Sequence, residues 1–93
     1  MVTIHIPTPL RGFVGGQDEL VQDTKATVGD QLAALATAHP ALQKHLFDDA
    51  GQLRKFINVY LNDEDVRYLQ GPASSLKNGD VLSIVPSIAG GRQ

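Results

Sequence analysis

The sequence predicts an α+β domain in which one helix covers a mixed sheet of four to five strands. Three observations lead to this prediction: a strand-like alternation opens the chain, a single amphipathic helix pattern follows, and apolar segments separated by turn residues fill the second half. A lone amphipathic helix has to bury its apolar stripe, so it must pack against the sheet. The length of 93 residues allows one such domain.

The first two strands are predicted to form an antiparallel hairpin. Val2, Ile4 and Ile6 alternate with polar residues, as in a half-buried strand. Two prolines follow, so we expect residues 7–16 to be a loop. The second strand is predicted at residues 19–23.

The helix pattern begins after Thr27, whose hydroxyl suits an N-cap. Asp30 lies three residues further on, where a carboxylate suits the free amides of the first turn. Pro40 ends the helix at His39 and can open a short second turn, because its missing N–H costs nothing there. The predicted buried side chains of these two segments are Val28, Leu32, Leu35, Ala36, Leu42 and Leu46.

Three further strands are predicted in the second half. The clearest is residues 56–61, which is followed by a turn at 62–65 and a short partner strand at 66–69. A second turn at 77–80 leads into the last strand, residues 81–86. Alternation within the clearest strand predicts that its core-facing side chains are Ile57, Val59 and Leu61.

This order of strands around one helix is that of the β-grasp, or ubiquitin-like, fold. We assign residues 1–88 to that domain. We expect residues 89–93 to be a flexible C-terminal tail that carries Gly90, Gly91 and a two-residue extension.

Composition excludes several classes of function. The net charge is −2 and the eight basic residues form no run, which argues against a nucleic-acid partner. There is no cysteine, so disulfides, thiolate metal sites and a nucleophilic thiol are excluded. No segment resembles a signal peptide or a membrane span, so we expect a cytoplasmic protein with no membrane partner.

The sequence predicts no catalytic or metal site and no bound cofactor. His5, His39 and His45 have no nucleophile or metal partner at a suitable spacing, so surface or capping positions are expected. Three acidic residues at 63–65 lack the spacing of a calcium loop and are interpreted as a solvated turn.

Two glycine pairs have different meanings. Gly15 and Gly16 lie between two strands, where they most simply supply backbone angles that other residues avoid. Gly90 and Gly91 follow the last predicted strand and need another explanation.

The C-terminal run LKNGDVLSIVPSIAGG, residues 76–91, supplies that explanation. It combines a Gly-Asp turn, an apolar last strand, a proline and Ala-Gly-Gly, and it resembles the sulfur carriers of the ThiS/MoaD family. The segments at 7–11, 15–17 and 59–67 are similar to the branch that supplies sulfur for cysteine synthesis.

The resemblance implies a protein that carries sulfur and catalyses nothing itself. A partner enzyme of the ThiF/MoeB type would adenylate the Gly91 carboxylate with ATP, and the resulting thiocarboxylate would pass its sulfur to an acceptor such as a PLP-dependent cysteine synthase. Gly90, Ala89 and Ile88 would form the slim segment that threads into the partner.

A partner must also recognise the folded domain. We predict that it contacts an apolar patch on the sheet face opposite the helix, formed by Phe56, Asn58, Tyr60 and Val85. The alternative is that some of these side chains, Phe56 above all, pack under a loop.

Arg92 and Gln93 depart from the family pattern, in which the second glycine is last. The favoured interpretation is a precursor that a zinc-dependent JAMM-type peptidase cleaves between Gly91 and Arg92. Three alternatives stay open: a ubiquitin-like modifier joined to proteins through Gly91, a molybdopterin synthase small subunit, and a β-grasp binding module whose tail is not cleaved.

Overall fold

The computed structural model describes residues 1–86, which form a five-stranded mixed sheet packed against helices. The strands lie in the order β2-β1-β5-β3-β4. Their bounds are β1 Val2–His5, β2 Glu19–Gln22, β3 Ile57–Leu61, β4 Glu64–Asp65 and β5 Val81–Pro86, and the helices are α1 Val28–Ala38 and α2 Gln43–Leu46. The mixed sheet predicted from the sequence is confirmed.

The N-terminal hairpin is also confirmed. β1 pairs antiparallel with β2, and Ile4 lies opposite Leu20. On its other side β1 pairs in parallel with β5, where His5 lies opposite Ser83. The parallel pair places β5 in the middle of the sheet.

The prediction of a loop at residues 7–16 was wrong over most of its length, because a 3₁₀ helix spans Thr8–Val14. Two apolar side chains drive this local order, since Leu10 and Val14 are both buried in the core. Gly15 ends the segment at φ 71°, and Gly16 follows at φ 82°. These angles support the structural interpretation of this glycine pair.

Helix α1 begins as predicted. The Thr27 hydroxyl oxygen accepts a hydrogen bond from the Asp30 amide at 3.1 Å and so caps the first turn. The helix ends at Ala38, before Pro40, and a short 3₁₀ turn at Pro40–Leu42 leads into α2. All six apolar side chains predicted for this region are buried.

The hairpin around residue 62 differs from its prediction. Asn62 and Asp63 have φ of 51° and 72°, so they form a two-residue turn whose twist suits a hairpin. Pairing therefore resumes at once, and β4 is Glu64–Asp65 rather than residues 66–69. Val66–Tyr68 is instead a 3₁₀ turn, because the Asp65 carboxylate accepts a hydrogen bond from the Arg67 amide at 2.9 Å.

One core fills the space between the sheet and the helices. It takes the inward side chains of β1, β3 and β5 together with the apolar stripe of α1. Its buried apolar members are Val2, Ile4, Ile6, Leu10, Val14, Val28, Leu32, Leu35, Leu42, Leu46, Val59, Val66, Leu82 and Ile84.

None of the helices within residues 1–86 has the length and apolar character needed to span a bilayer.

A buried carboxylate joins two turns at the start of β5. The Asp80 side chain accepts hydrogen bonds from the Asn62 side-chain amide at 3.0 Å and from the Lys77 backbone amide at 2.9 Å. The Lys77 ammonium lies 3.2 Å away. Burial alone would raise the pKa of Asp80, but the hydrogen bonds from Asn62 and Lys77 outweigh it and lower the pKa.

We predict that Asp80→Asn lowers the free energy of unfolding by about 1–3 kcal/mol at pH 7, because the amide cannot satisfy the same donors. Folding lowers the pKa of Asp80 from its ordinary value of 3.8, so its carboxylate stabilises the fold above that pH and loses the contribution as the pH falls toward the lower pKa of the folded state. Urea unfolding of the two proteins between pH 7 and pH 3 measures both effects.

The matched control is Asp49→Asn, which changes an exposed carboxylate in a loop. It should leave the stability at pH 7 almost unchanged. Equal effects of the two substitutions would contradict the role given to Asp80.

Candidate functional site

The described part of the chain ends on the strand that carries the predicted tail. β5 lies between β1 and β3, and its last residue, Pro86, pairs with Ile57 at the start of β3. The predicted tail and cleavage residues lie outside the described residues; they are Ile88, Ala89, Gly90, Gly91 and Arg92. Their roles stay predictions.

The outer face of the sheet, opposite α1, carries three of the four residues predicted to contact a partner. We refer to the four, Phe56, Asn58, Tyr60 and Val85, as the outer-face patch. Asn58 lies directly opposite Val85 in the β3–β5 pair, and residues opposite each other in such a pair share a face. Tyr60 lies two residues along β3, so it shares that face, whereas Val59 points into the core. The Val85 residue is 42% exposed.

Phe56 lies in a turn immediately before β3 rather than inside the strand, because the Ile57 amide closes the turn on the Arg54 carbonyl at 3.0 Å. Phe56 is 44% exposed, and the Lys55 ammonium lies 5.7 Å from the centre of its ring. Phe56 and Pro86 line one groove of about 510 Å³, so the aromatic ring borders the point where the described chain ends.

A second groove, of about 610 Å³, follows the outer face of β5. Ser83 and Val85 line it, together with His5 from β1 and Arg11 from the 3₁₀ helix. The Arg11 Nε donates a hydrogen bond to the Ile6 carbonyl at 3.0 Å. Sequence reasoning missed His5 and Arg11 at this position because the parallel pairing that brings β1 beside β5 leaves no local signal.

The acidic turn is less solvated than predicted. Asp63 and Glu64 are exposed, but Asp65 is buried and pairs with Arg67, whose Nη2 lies 2.6 Å from the carboxylate. The hydrogen bonds from the Arg67 side chain and backbone lower the pKa of Asp65. Because Asp65 lies opposite Tyr60, this pair borders the outer face.

The three histidines lie on different elements of the fold. His5 lies on β1, with its Nδ1 4.0 Å from a Glu19 carboxylate oxygen, and His39 caps the end of α1. The His45 ring stacks on Phe13, with 4.3 Å between ring centres. Across residues 1–86, no group of three or more His, Asp or Glu side chains is placed to hold a metal ion.

The five-stranded mixed sheet packed against α1 defines a ubiquitin-like β-grasp domain, and the sequence continues beyond it to Gly90 and Gly91. The chain belongs to the ThiS family, which matches residues 4–91. The match includes both terminal glycines and leaves out Arg92 and Gln93.

Individual relatives agree with the family assignment. Sulfur carrier protein CysO of Mycobacterium tuberculosis is 39% identical over 92 residues, which cover 97% of this chain and 98% of that protein. In the crystal structure of the Amycolatopsis orientalis BexX/CysO complex, the matching chain is 41% identical with a TM-score of 0.85, over 98% of this chain and all of that one. Small archaeal modifier protein 1 of Haloferax volcanii is 44% identical over 69 residues, which are 74% of this chain and 75% of that protein.

Proposed function

We propose that this protein is a sulfur carrier whose Gly91 carboxylate, once freed, is converted to a thiocarboxylate. The observation that carries the proposal is the extent of the ThiS family match, which reaches Gly91 and stops before Arg92. Relatives named as sulfur carriers match over almost the whole chain, which supports the same role. The protein is then the substrate of partner enzymes, and we assign no catalysis to it.

Glycine suits this use for a physical reason. Five residues, 87–91, separate Pro86 from the bond to Arg92, and an extended chain of that length reaches at most about 18 Å. The reacting carbonyl must therefore be activated close to the folded domain. Gly90 and Gly91 have no side chains that would obstruct this approach.

The chemistry divides between this chain and an activating enzyme of the ThiF/MoeB type. A carboxylate is a poor electrophile, so its oxygen first attacks the α-phosphate of ATP, and pyrophosphate leaves. Hydrosulfide from the sulfur donor then attacks the acyl carbon, AMP leaves, and the sulfur stays on that carbon as the thiocarboxylate. ATP and the groups that stabilise its charge belong to the partner.

Maturation has to come before activation. The Gly91 carbonyl is tied in a peptide bond to Arg92, so it offers no carboxylate until that bond is hydrolysed. We assign the hydrolysis to a zinc peptidase of the JAMM type, in which a metal-bound water attacks the Gly91 carbonyl and releases the segment that begins with Arg92.

We predict that protein cut after Gly91 forms a thiocarboxylate when it is mixed with its activating enzyme, ATP and a sulfur donor, whereas the uncut chain does not. Gly91→Ala in the cut protein should slow the reaction roughly tenfold to a hundredfold, because a small displacement of a reacting atom is costly. Intact mass spectrometry detects the exchange of one oxygen for sulfur.

Arg92→Ala in the uncut chain is the matched control, since it keeps the peptide bond after Gly91 and should also stay inactive without the peptidase. If thiocarboxylate forms on the uncut protein at the same rate as on the cut protein, the proposed maturation step is contradicted.

The outer-face patch supplies the docking surface for the activating enzyme in this proposal. Val85 is the last outward-facing residue of β5, only one position before Pro86. Asn58 lies directly opposite it, and Phe56 lines a groove together with Pro86. A partner that takes up the tail within about 18 Å of Pro86 therefore has this patch within reach.

We predict that Val85→Glu weakens binding of the activating enzyme about tenfold or more, because it places a charge in the centre of an apolar contact. Titration calorimetry measures the loss. Val21→Glu is the matched control, since Val21 is 55% exposed on the outer face but lies on β2, across the sheet. Equal losses for the two variants, with unchanged thermal unfolding, would contradict the location of the patch.

The resemblance to the cysteine-synthesis branch favours a PLP-dependent cysteine synthase as the sulfur acceptor. A ubiquitin-like modifier is the second candidate, because the small archaeal modifier protein 1 is also similar to this chain. An isopeptide bond between Gly91 and lysines of other proteins would favour the modifier. A cytoplasmic location stays a prediction.

A further inference from the structure

Three strand ends meet at the edge of the sheet that contains Pro86. β1 runs parallel to β5, so both strands end at this edge, whereas β3 runs antiparallel to β5 and begins there. Residues that follow β1 or precede β3 are therefore placed near Pro86. We refer to this edge as the Pro86 end of the sheet.

Arg11 lies at the Pro86 end on the side of β1. It belongs to the 3₁₀ helix that follows β1, and it lines the groove of about 610 Å³ together with Ser83 and Val85. Its Nε donates a hydrogen bond to the carbonyl of Ile6, which is a neutral acceptor. Arg11 forms no ion pair with a carboxylate of residues 1–86. The hydrogen bond therefore holds the side chain in place without neutralising its charge.

Lys55 lies at the same end on the side of β3. It precedes the first residue of β3 by two positions, and it lines the groove of about 510 Å³ together with Phe56 and Pro86. Its ammonium lies 5.7 Å from the centre of the Phe56 ring, which attracts the cation but carries no net charge. Within the described residues Lys55, like Arg11, has no ion pair with a carboxylate.

The carboxylate in the first groove lies at its far end. Asp63 lines this groove, but it follows Asn62, whose amide donates to the carbonyl of Val81 at the start of β5. Four residues of extended strand, about 13 Å, separate Val81 from Val85. This distance exceeds the Debye length of about 8 Å at physiological salt, so Asp63 offsets little of the charge at the Pro86 end.

The second groove has more cations than carboxylates among residues 1–86. Asp48 is its acidic residue, and its carboxylate accepts hydrogen bonds from two backbone amides of its own loop. Arg54 lines the groove beside Lys55. The Pro86 end is therefore electropositive, although the net charge of the chain is −2.

We propose that the activating enzyme presents an acidic rim to the Pro86 end, with carboxylates that pair with Arg11 and Lys55 on either side of Val85. This inference rests on the proposed function, because it assigns a surface chemistry to the enzyme that docks there. That enzyme is the occupant because it must take up the residues that follow Pro86, and these reach at most about 18 Å. Opposite charges across an interface accelerate association and fix the register of docking.

Two substitutions of Val85 test the sign of the charge on the partner. Val85→Lys and Val85→Glu remove the same apolar contact and introduce opposite charges. In protein cut after Gly91, we expect Val85→Lys to bind the ThiF/MoeB-type enzyme from the producing cells at least about threefold more tightly than Val85→Glu does. The difference should shrink between about 0.05 M and about 0.5 M NaCl, because salt screens exposed charges. Titration calorimetry measures both affinities.

Substitution of the cations tests each proposed ion pair. Arg11→Gln and Lys55→Gln should each weaken binding about twofold to fivefold at low salt and flatten its salt dependence. Arg11→Lys keeps the charge and should restore binding, which a purely structural role of the guanidinium would not allow. Lys25→Gln is the matched control, since Lys25 is exposed and lines neither groove, and it should leave the affinity unchanged. Thermal unfolding of each variant separates a loss of binding from a loss of folding.

Equal affinities of Val85→Lys and Val85→Glu, or equal effects of Arg11→Gln and Lys25→Gln, would overturn this inference. Thiocarboxylate formation on the cut protein would leave the proposed function standing in that case. If the cut protein neither binds the enzyme nor forms a thiocarboxylate, both fail. Salt-sensitive self-association that requires Arg11 would assign these cations to a second copy of the chain and overturn this inference alone.

Discussion

The parallel pairing of β1 with β5 is the constraint on which the rest of the structure depends. It brings the first strand of the chain beside the last one and places β5 between β1 and β3. The strand that leads to the Gly-Gly run is therefore hydrogen-bonded to a neighbouring strand on each side. β1 pairs with Val81–Ser83, and β3 continues the pairing to Pro86, from which five extended residues span at most about 18 Å. In the proposed function, this distance limits how far from the sheet the Gly91 carbonyl can be activated.

Side chains along β5 point alternately into the core and outward, so the residues that stabilise the fold differ from those on the outer face. Leu82 and Ile84 point inward and belong to the core, whereas Val85 points outward beside Asn58. A substitution at an inward position therefore acts on folding, whereas one at Val85 changes the surface to which we assign partner contact. The proposed function assigns contact with the activating enzyme to the outer-face patch, to which Val85 and Asn58 belong.

Features set by local sequence could be predicted, and those set by distant contacts could not. The Thr27 cap and the buried stripe of α1 follow from side chains a few residues apart, and both were confirmed. The partner strand of β3 was placed too late because Val66 is apolar, yet burial of that side chain is compatible with a 3₁₀ turn as well as with a strand. The grooves depend on which elements become neighbours, as when β1 brings His5 beside Ser83. The roles proposed for the tail residues rest on the sequence and on the family match alone.

The most direct measurement is the intact mass of the protein recovered from the cells that produce it, compared with the mass of the full chain. The account predicts a chain that ends at Gly91 with one carboxylate oxygen replaced by sulfur. A chain that still carries Arg92 in every fraction, with no added sulfur, would contradict it.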